Sequence, residues 1–177
     1  MSHRKSNMLT ELKRQIENEI LQIERRQDLS ADEKVNKIIY TTAAICAGVA
    51  IQPIPFADMP ILTAIQAFMG HKIGKVRGVN IAEEGVWEVI KAIGGVVGLG
   101  FAAQQTAIGL YKLGLPFLGG LMTVPLVGGL TVAIGRAMDV YFVMKAQGRE
   151  PSPEAIKRAF NQGKQEGKKI KPRQTEV

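Results

Sequence analysis

Reactive residues are scarce in this sequence. The 177 residues include one cysteine, Cys46, and two histidines, His3 and His71. A single cysteine cannot form an internal disulfide and suits a reducing compartment. Neither histidine has a cysteine, a histidine or a carboxylate at metal-ligand spacing, and no G-x-x-x-x-G-K-[ST] loop is present. We therefore expect no catalytic residue, no metal site and no cofactor, and predict that the protein is not an enzyme.

Aromatic residues are also few, at 6% of the chain, and lie mainly in apolar segments. Surfaces that bind nucleic acid combine a basic stripe with aromatic side chains, so the net charge of +7 does not indicate a nucleic-acid partner. A clean alternation of apolar and polar residues, typical of a strand, is missing as well. The sequence predicts an all-α fold, a bundle of six or seven helices with a glycine-rich apolar helical hairpin.

Formal charge is absent from three long stretches of the chain. Each has 20 to 23 residues, about the length that a helix needs to cross a bilayer. They are Ile38–Ala57, Ala92–Tyr111 and Leu113–Gly135. A helix that is apolar on all sides occurs either in a membrane or at the centre of a soluble bundle, so each stretch alone leaves both interpretations open.

The last two stretches are separated only by Lys112. Together they predict a helical hairpin, residues 92–135, that turns near Pro116 and enters or lies against a bilayer. Lys91 and Arg136 then lie on the same side, and positive residues favour the cytoplasmic side of a membrane. The predicted location is the cytoplasmic face of the cytoplasmic membrane, integral or peripheral, with the cytoplasm as the alternative.

Three regions are predicted along the chain. Residues 1–30 form an amphipathic N-terminal helix, residues 31–148 a helical core domain with the apolar hairpin, and residues 149–177 a short helix and a basic disordered tail. The N-terminal helix has an apolar stripe made of Leu9, Leu12, Ile16, Ile20 and Ile23. Its three- and four-residue spacing predicts an outer helix of the bundle, or a helix that docks on a partner or a second copy.

Two pairs of residues have the spacing of a capping box, in which each side chain accepts the other's backbone N–H. Ser30 with Glu33 and Asn80 with Glu83 are those pairs. They predict helices that begin directly after Ser30 and Asn80, the second of which ends at about Ile93.

Other boundaries are indicated by proline, glycine and short polar residues. The Pro53-Ile54-Pro55 segment must interrupt a helix, and Asp58 is placed to cap the next one. Gly78 and Gly148 predict helix ends, whereas Ser152 followed by proline predicts the start of a last short helix.

Two further spacings concern contacts between helices. Gly94 and Gly98 have the small-xxx-small spacing of closely packed membrane helices. Polar residues also lie in or beside apolar segments. Gln66 lies within a predicted helix, and Arg136 and Asp139 are three residues apart on another. The spacing predicts an ion pair between the last two.

A surplus of positive charge follows the last apolar stretch. Its basic residues include Lys164, Lys168, Lys169, Lys171 and Arg173. Basic residues beside a membrane attract anionic lipid, so these five are predicted to contact a lipid surface. A solvated tail that keeps the protein soluble is the alternative.

Several strings resemble a bacterial domain family of unknown function that occurs alone or fused behind Era-like or dynamin-like small GTPase domains and includes YcjF-type membrane-associated proteins. The strings are Pro53–Asp58, Leu62–Gln66, Lys75–Gly78, Leu115–Gly119 and Thr131–Arg136. The motif residues in them are Pro53, Pro55, Asp58, Gln66, Gly78, Pro116, Gly135 and Arg136. The resemblance covers about residues 35–146 and implies an all-α, membrane-linked accessory domain.

The leading hypothesis is a membrane-associated helical accessory protein that acts as an adaptor or regulator of a small GTPase in trans. One alternative is a membrane-permeabilising or channel-forming oligomer, with Gln104, Gln105, Thr106 and Thr123 facing its water. A second alternative is a soluble helical bundle that binds an apolar ligand.

Overall fold

The computed structural model describes residues 2–50, 59–98 and 118–170. Within these ranges the secondary structure is entirely helical, which confirms the predicted all-α fold. Six helices occur there in chain order: α1 (Ser2–Arg25), α2 (Ala31–Ala50), α3 (Met59–Val76), α4 (Glu83–Val97), α5 (Leu118–Ala146) and α6 (Pro153–Gly167). The division of the chain at residues 30 and 149 stays a prediction.

Helix α5 is the central helix of the bundle. It contributes Leu130, Val132, Ala133, Met138 and Phe142 to the buried core. It packs against α2, α3, α4 and α6 in the described part of the chain. The motif glycine Gly135 lies where α5 crosses α2, and a Cβ there would lie 2.7 Å from Ile39 Cγ1.

Two predicted helix starts are confirmed by their caps. The Ser30 backbone N–H donates to Glu33 Oε2 at 2.8 Å, and the Glu33 N–H donates to Ser30 Oγ at 3.3 Å. This is the capping box expected for α2. At the start of α6 the Ala155 N–H donates to Ser152 Oγ at 3.3 Å, directly before the helix that begins at Pro153.

Two predicted helix ends are confirmed by glycines with positive φ. Gly78 has a φ of 77° and Gly148 a φ of 68°. After α3, the Val79 N–H donates to the Gly74 carbonyl at 2.9 Å, and after α5 the Arg149 N–H donates to Met144 in the same way. Each helix therefore ends in a Schellman motif, which only glycine adopts without strain.

The predicted start and end of α4 are wrong. The helix begins at Glu83, and the extended Ala82 is its N-cap, so Asn80 does not take that position. It continues through Gly94 and Gly95 to Val97, because the buried Val89 and Ile93 hold its last turns on the core. Packing thus overrides the low helix propensity of glycine.

The first uncharged arm of the proposed hairpin lies partly outside the described residues. Its first seven residues belong to α4 and the exposed Gly98, and the turn at Pro116 is not among the described residues. Pro53, Pro55 and Asp58 lie outside them too, so the role of each stays a prediction. From Leu118 onward the second arm belongs to α5, which runs past Gly135 to Ala146 without a break.

Candidate functional site

The helices bring the uncharged stretches together at one end of the bundle. Helix α3 runs parallel to α5, since the Gln66 amide donates to Thr131 at 3.2 Å and a Cβ at Gly74 would lie 3.3 Å from Phe142. Helix α2 runs antiparallel to α5, because Asn36 contacts Arg136 and Ile39 lies at Gly135. The C-terminal end of α2 and the N-terminal ends of α3 and α5 therefore point the same way.

Helix α4 reaches the same end. It follows α3 after a short connection and returns along it, since a Cβ at Gly70 would lie 2.9 Å from Val86 Cγ1. We call this the uncharged end; it is formed by residues 47–50, 59–63, 93–98 and 118–128, none of which is charged. Four separate parts of the chain thus meet at this end of the bundle, and none of the residues that they contribute carries a formal charge.

The opposite end carries paired charges, and we call it the charged end. There Arg77 binds Asp139 with two hydrogen bonds, from Nε to Oδ1 at 2.6 Å and from Nη2 to Oδ2 at 3.0 Å. Arg77 also contacts Asp32 at the start of α2, with 2.7 Å between Nη1 and Oδ1. The Arg77 and Asp139 side chains are only 14% and 16% exposed, so this pair ties α3 to α5 in a region shielded from water.

The predicted pairing of Arg136 with Asp139 is wrong, because each residue has a partner on another helix. Asp139 binds Arg77, and Arg136 Nε donates to Glu166 Oε2 at 2.9 Å. Burial alone would raise the pKa of Glu166, but the hydrogen bonds and charge of Arg136, with the hydrogen bonds from Gln162 and Tyr40, together outweigh it and hold that pKa below its usual value. The motif residue Arg136 therefore fastens α6 to α5.

Helices α5 and α6 meet along small residues that sequence reasoning did not single out. A Cβ at Gly163 would lie 2.8 Å from the Ala133 Cα, and a Cβ at Gly167 would lie 2.5 Å from the Gly129 Cα. We call these four residues the glycine seam. Both sides have small-xxx-small spacing, which was visible in the sequence, but the charges of α6 concealed its close approach to α5.

The other small-xxx-small pair is not packed in this way. A Cβ at Gly94, Gly95 or Gly98 would meet nothing within 4 Å in the described structure. Gly94 and Gly98 therefore have no close neighbour among the described residues, and their close approach to another helix stays a prediction. Trp87 is also exposed on this helix, at 42%.

Because of the glycine seam, the basic residues at the C-terminal end of α6 lie beside the uncharged end. Helix α6 is antiparallel to α5, since Gly163 faces Ala133 whereas Gly167 faces Gly129 further towards the α5 N-terminus. Lys168 and Lys169 follow directly and are exposed, whereas Lys164 is half-buried. Three of the five predicted lipid-contact residues thus lie beside the uncharged end, and the other two, Lys171 and Arg173, lie outside the described residues.

Few groups in the described core are suited to catalysis. No cluster of three or more His, Cys, Asp or Glu side chains that could hold a metal ion occurs among the described residues. Cys46 is fully buried in the hydrophobic core. Gln66 is 5% exposed, and its hydrogen bond to Thr131 supplies the partner that a buried amide requires. These polar residues hold α3 on α5.

One helix in the described ranges is long and apolar enough to cross a membrane. It is the Val124–Ala146 part of α5, and 67% of its most apolar window is buried inside the bundle. Length and composition alone do not separate a membrane span from a core helix. In this structure the segment is the core helix, because α2, α3 and α6 surround it.

Comparisons with known proteins identify the family of the chain. The family described as "Domain of unknown function (DUF697)" matches residues 9–165. The chain is 30% identical over 155 residues to magnetosome membrane protein 22 of Magnetospirillum gryphiswaldense, an alignment that covers 83% of this chain and 77% of the relative. No solved structure matches. The strings that resembled a domain family of unknown function thus indicated the right kind of family.

Proposed function

Because the chain belongs to the DUF697 family, we propose that it is a membrane-associated helical protein whose uncharged end enters the bilayer surface. The single observation that supports this orientation is the convergence of four uncharged chain segments at one end of the bundle. The relative whose name places it in the magnetosome membrane supports the location. Because a charged group is costly to bury in lipid, the charged end stays in the cytoplasm.

A charge placed at the uncharged end tests this orientation. Gly95→Glu changes an exposed residue near the end of α4 where a side chain meets no described atom. The expected result is an at least tenfold lower partition into lipid vesicles, since a charged side chain costs about 2–3 kcal/mol to insert. Co-flotation with vesicles of neutral phospholipid measures the partition.

The matched control is Gln147→Glu, which adds the same charge at an exposed residue of the charged end. It should float like the wild type. The orientation would be refuted if both variants lost binding equally or if neither did. Gly95→Glu is not expected to unfold the chain, because glutamate has a higher helix propensity than glycine.

We further propose that Lys168 and Lys169 contact anionic headgroups when the uncharged end is inserted. Both are exposed and follow the last contact of the glycine seam. Each basic residue near an anionic surface contributes about 1 kcal/mol. The proposal extends to Lys164, Lys171 and Arg173 on the same grounds of charge and position in the sequence.

Replacing both residues by glutamine should therefore lower binding to vesicles with anionic lipid by about 30-fold. Binding to neutral vesicles should not change. Lys157→Gln with Arg158→Gln is the control, since these exposed residues lie at the opposite end of α6. Equal losses for the two double variants would mean that overall charge, and not a surface beside the uncharged end, governs binding.

The proposed activity is that of a non-enzymatic adaptor or regulator of a small GTPase in trans. The resemblance to domains fused behind GTPase domains supports it, and the charged end is the part that remains accessible. Affinity purification from native membranes, with GDP or a non-hydrolysable GTP analogue, tests it. A GTPase retained in one nucleotide state supports the adaptor, whereas none in either state contradicts it. Release of dye trapped in liposomes would instead favour the channel-forming alternative.

A further inference from the structure

A cavity opens at the charged end, away from the proposed membrane surface. Its volume is about 300 Å³, and it is lined by Glu24, Ala31, Lys34, Lys75 and Val76. These residues come from the end of α1, the start of α2 and the end of α3. At about 30 Å³ per water molecule, such a volume corresponds to about ten waters, more than a lone ion requires.

Three lysine ammonium groups contact Glu24 at this cavity, two at its carboxylate and one at its backbone carbonyl. Lys72 Nζ lies 3.0 Å from Glu24 Oε2, and Lys75 pairs with the other carboxylate oxygen. Lys34 Nζ donates to the backbone carbonyl of Glu24 at 3.0 Å. Burial by itself would raise the pKa of Glu24, but hydrogen bonds from Lys75 and Lys72 hold that pKa below its usual value. The carboxylate is therefore ionised at neutral pH.

The charges of these four groups do not cancel. Three ammonium groups and one carboxylate leave a surplus of two positive charges. Lys34 has no carboxylate within ion-pair distance among the described side chains; its charge acts at longer range on Asp28, but Arg26 already binds that carboxylate. A backbone carbonyl occupies only one of the three donors of Lys34. Lys75 is 58% exposed and can turn towards a ligand, whereas Lys72 is 9% exposed and fixed on Glu24. Two ammonium groups thus face a cavity with donors to spare.

We propose that this cavity binds the phosphate group of a soluble phosphorylated small molecule. A dianion matches the surplus charge, and phosphate oxygens accept the hydrogen bonds that Lys34 and Lys75 can donate. A metal cation is disfavoured by the same surplus. The cavity lies at the end opposite the uncharged end, so a lipid headgroup in the membrane that anchors the protein cannot reach it.

Inorganic phosphate is the probe, added to the purified full chain in neutral detergent at constant ionic strength maintained with chloride. Calorimetric titration should give saturable binding. Lys34→Gln and Lys75→Gln should each weaken it about tenfold, which is the effect of losing one charge-assisted hydrogen bond. Lys91→Gln, which alters a 70% exposed lysine on α4, should leave it unchanged. Absence of saturable binding, or equal affinity in all variants, would overturn the site.

Glu24→Gln provides a second variant with an effect of opposite sign. Removing the carboxylate removes a repulsion, so phosphate should bind several-fold more tightly even if the unfolding temperature falls. A purely structural role for Lys34 and Lys75 would give no such increase. Vesicles that contain a phosphorylated inositol lipid distinguish the other source of phosphate. If Lys34→Gln weakened binding to those vesicles, the ligand would be a headgroup and the proposed soluble ligand would be wrong.

Discussion

Gly163→Ala is expected to lower the free energy of unfolding by about 2 kcal/mol, although alanine favours a helix over glycine by about 1 kcal/mol. The new Cβ would lie 2.8 Å from the Ala133 Cα and 2.8 Å from the Val132 carbonyl oxygen. Backbone atoms cannot rotate away as a flexible side chain can, so α6 must move off α5. Ile156 and Phe160, which are buried by the same contact, then lose part of their packing.

Gly95→Ala is the matched control, because nothing lies within 4 Å of a Cβ at that position. It should raise the free energy of unfolding by about 0.5–1 kcal/mol through helix propensity alone. Chemical denaturation in the same detergent, followed by circular dichroism, measures both. Stabilisation by Gly163→Ala would show that α6 does not approach α5 as closely as described.

Asp139→Ala should lower the free energy of unfolding by about 2–3 kcal/mol. It leaves the Arg77 guanidinium, 14% exposed, without its two hydrogen bonds to α5. An ion that is shielded from water and has lost its shielded partner costs more than that pair itself contributes. Asp32→Ala removes the other partner of Arg77, but that side chain is 79% exposed, so the expected loss is below about 1 kcal/mol.

The contrast between the two aspartates can be checked by denaturation in the presence and absence of salt. The Asp32 contribution should fall as salt is added, whereas that of Asp139 should change little, because shielded pairs are screened less. Replacing both Arg77 and Asp139 by Met and Leu should recover most of the loss from Asp139→Ala. Equal losses for Asp139→Ala and Asp32→Ala would contradict the described burial.

The sequence predicted the fold where the signals were local. The capping box at Ser30 and Glu33 and the glycines at 78 and 148 define boundaries through residues within a few positions of each other. The same spacing gave a wrong prediction at Asn80 and Glu83, because Ala82 is extended and takes the cap position of α4. A local motif forms only when the backbone on both sides has the required conformation.

Contacts between helices could not be predicted from spacing. Arg136 and Asp139 are one turn apart, yet their partners are 30 and 62 residues away in sequence. Gly94 with Gly98 and Gly163 with Gly167 have identical spacing, and among the described residues only the second pair meets another backbone. Which of two similar glycine-containing helix faces is covered by another helix depends on how all the helices pack around the core. The charged cavity at Glu24 was missed for that reason.

Because of its position, Cys46 can report local opening of the helical bundle. The thiol is fully buried and is the only one in the sequence, so a maleimide can react with it only after α2 has separated from its neighbours. The rate of the maleimide reaction therefore reports how often the core opens around Cys46, without any introduced cysteine. Measured on vesicles and in detergent, those two rates would tell how much of the bundle opens when it meets lipid.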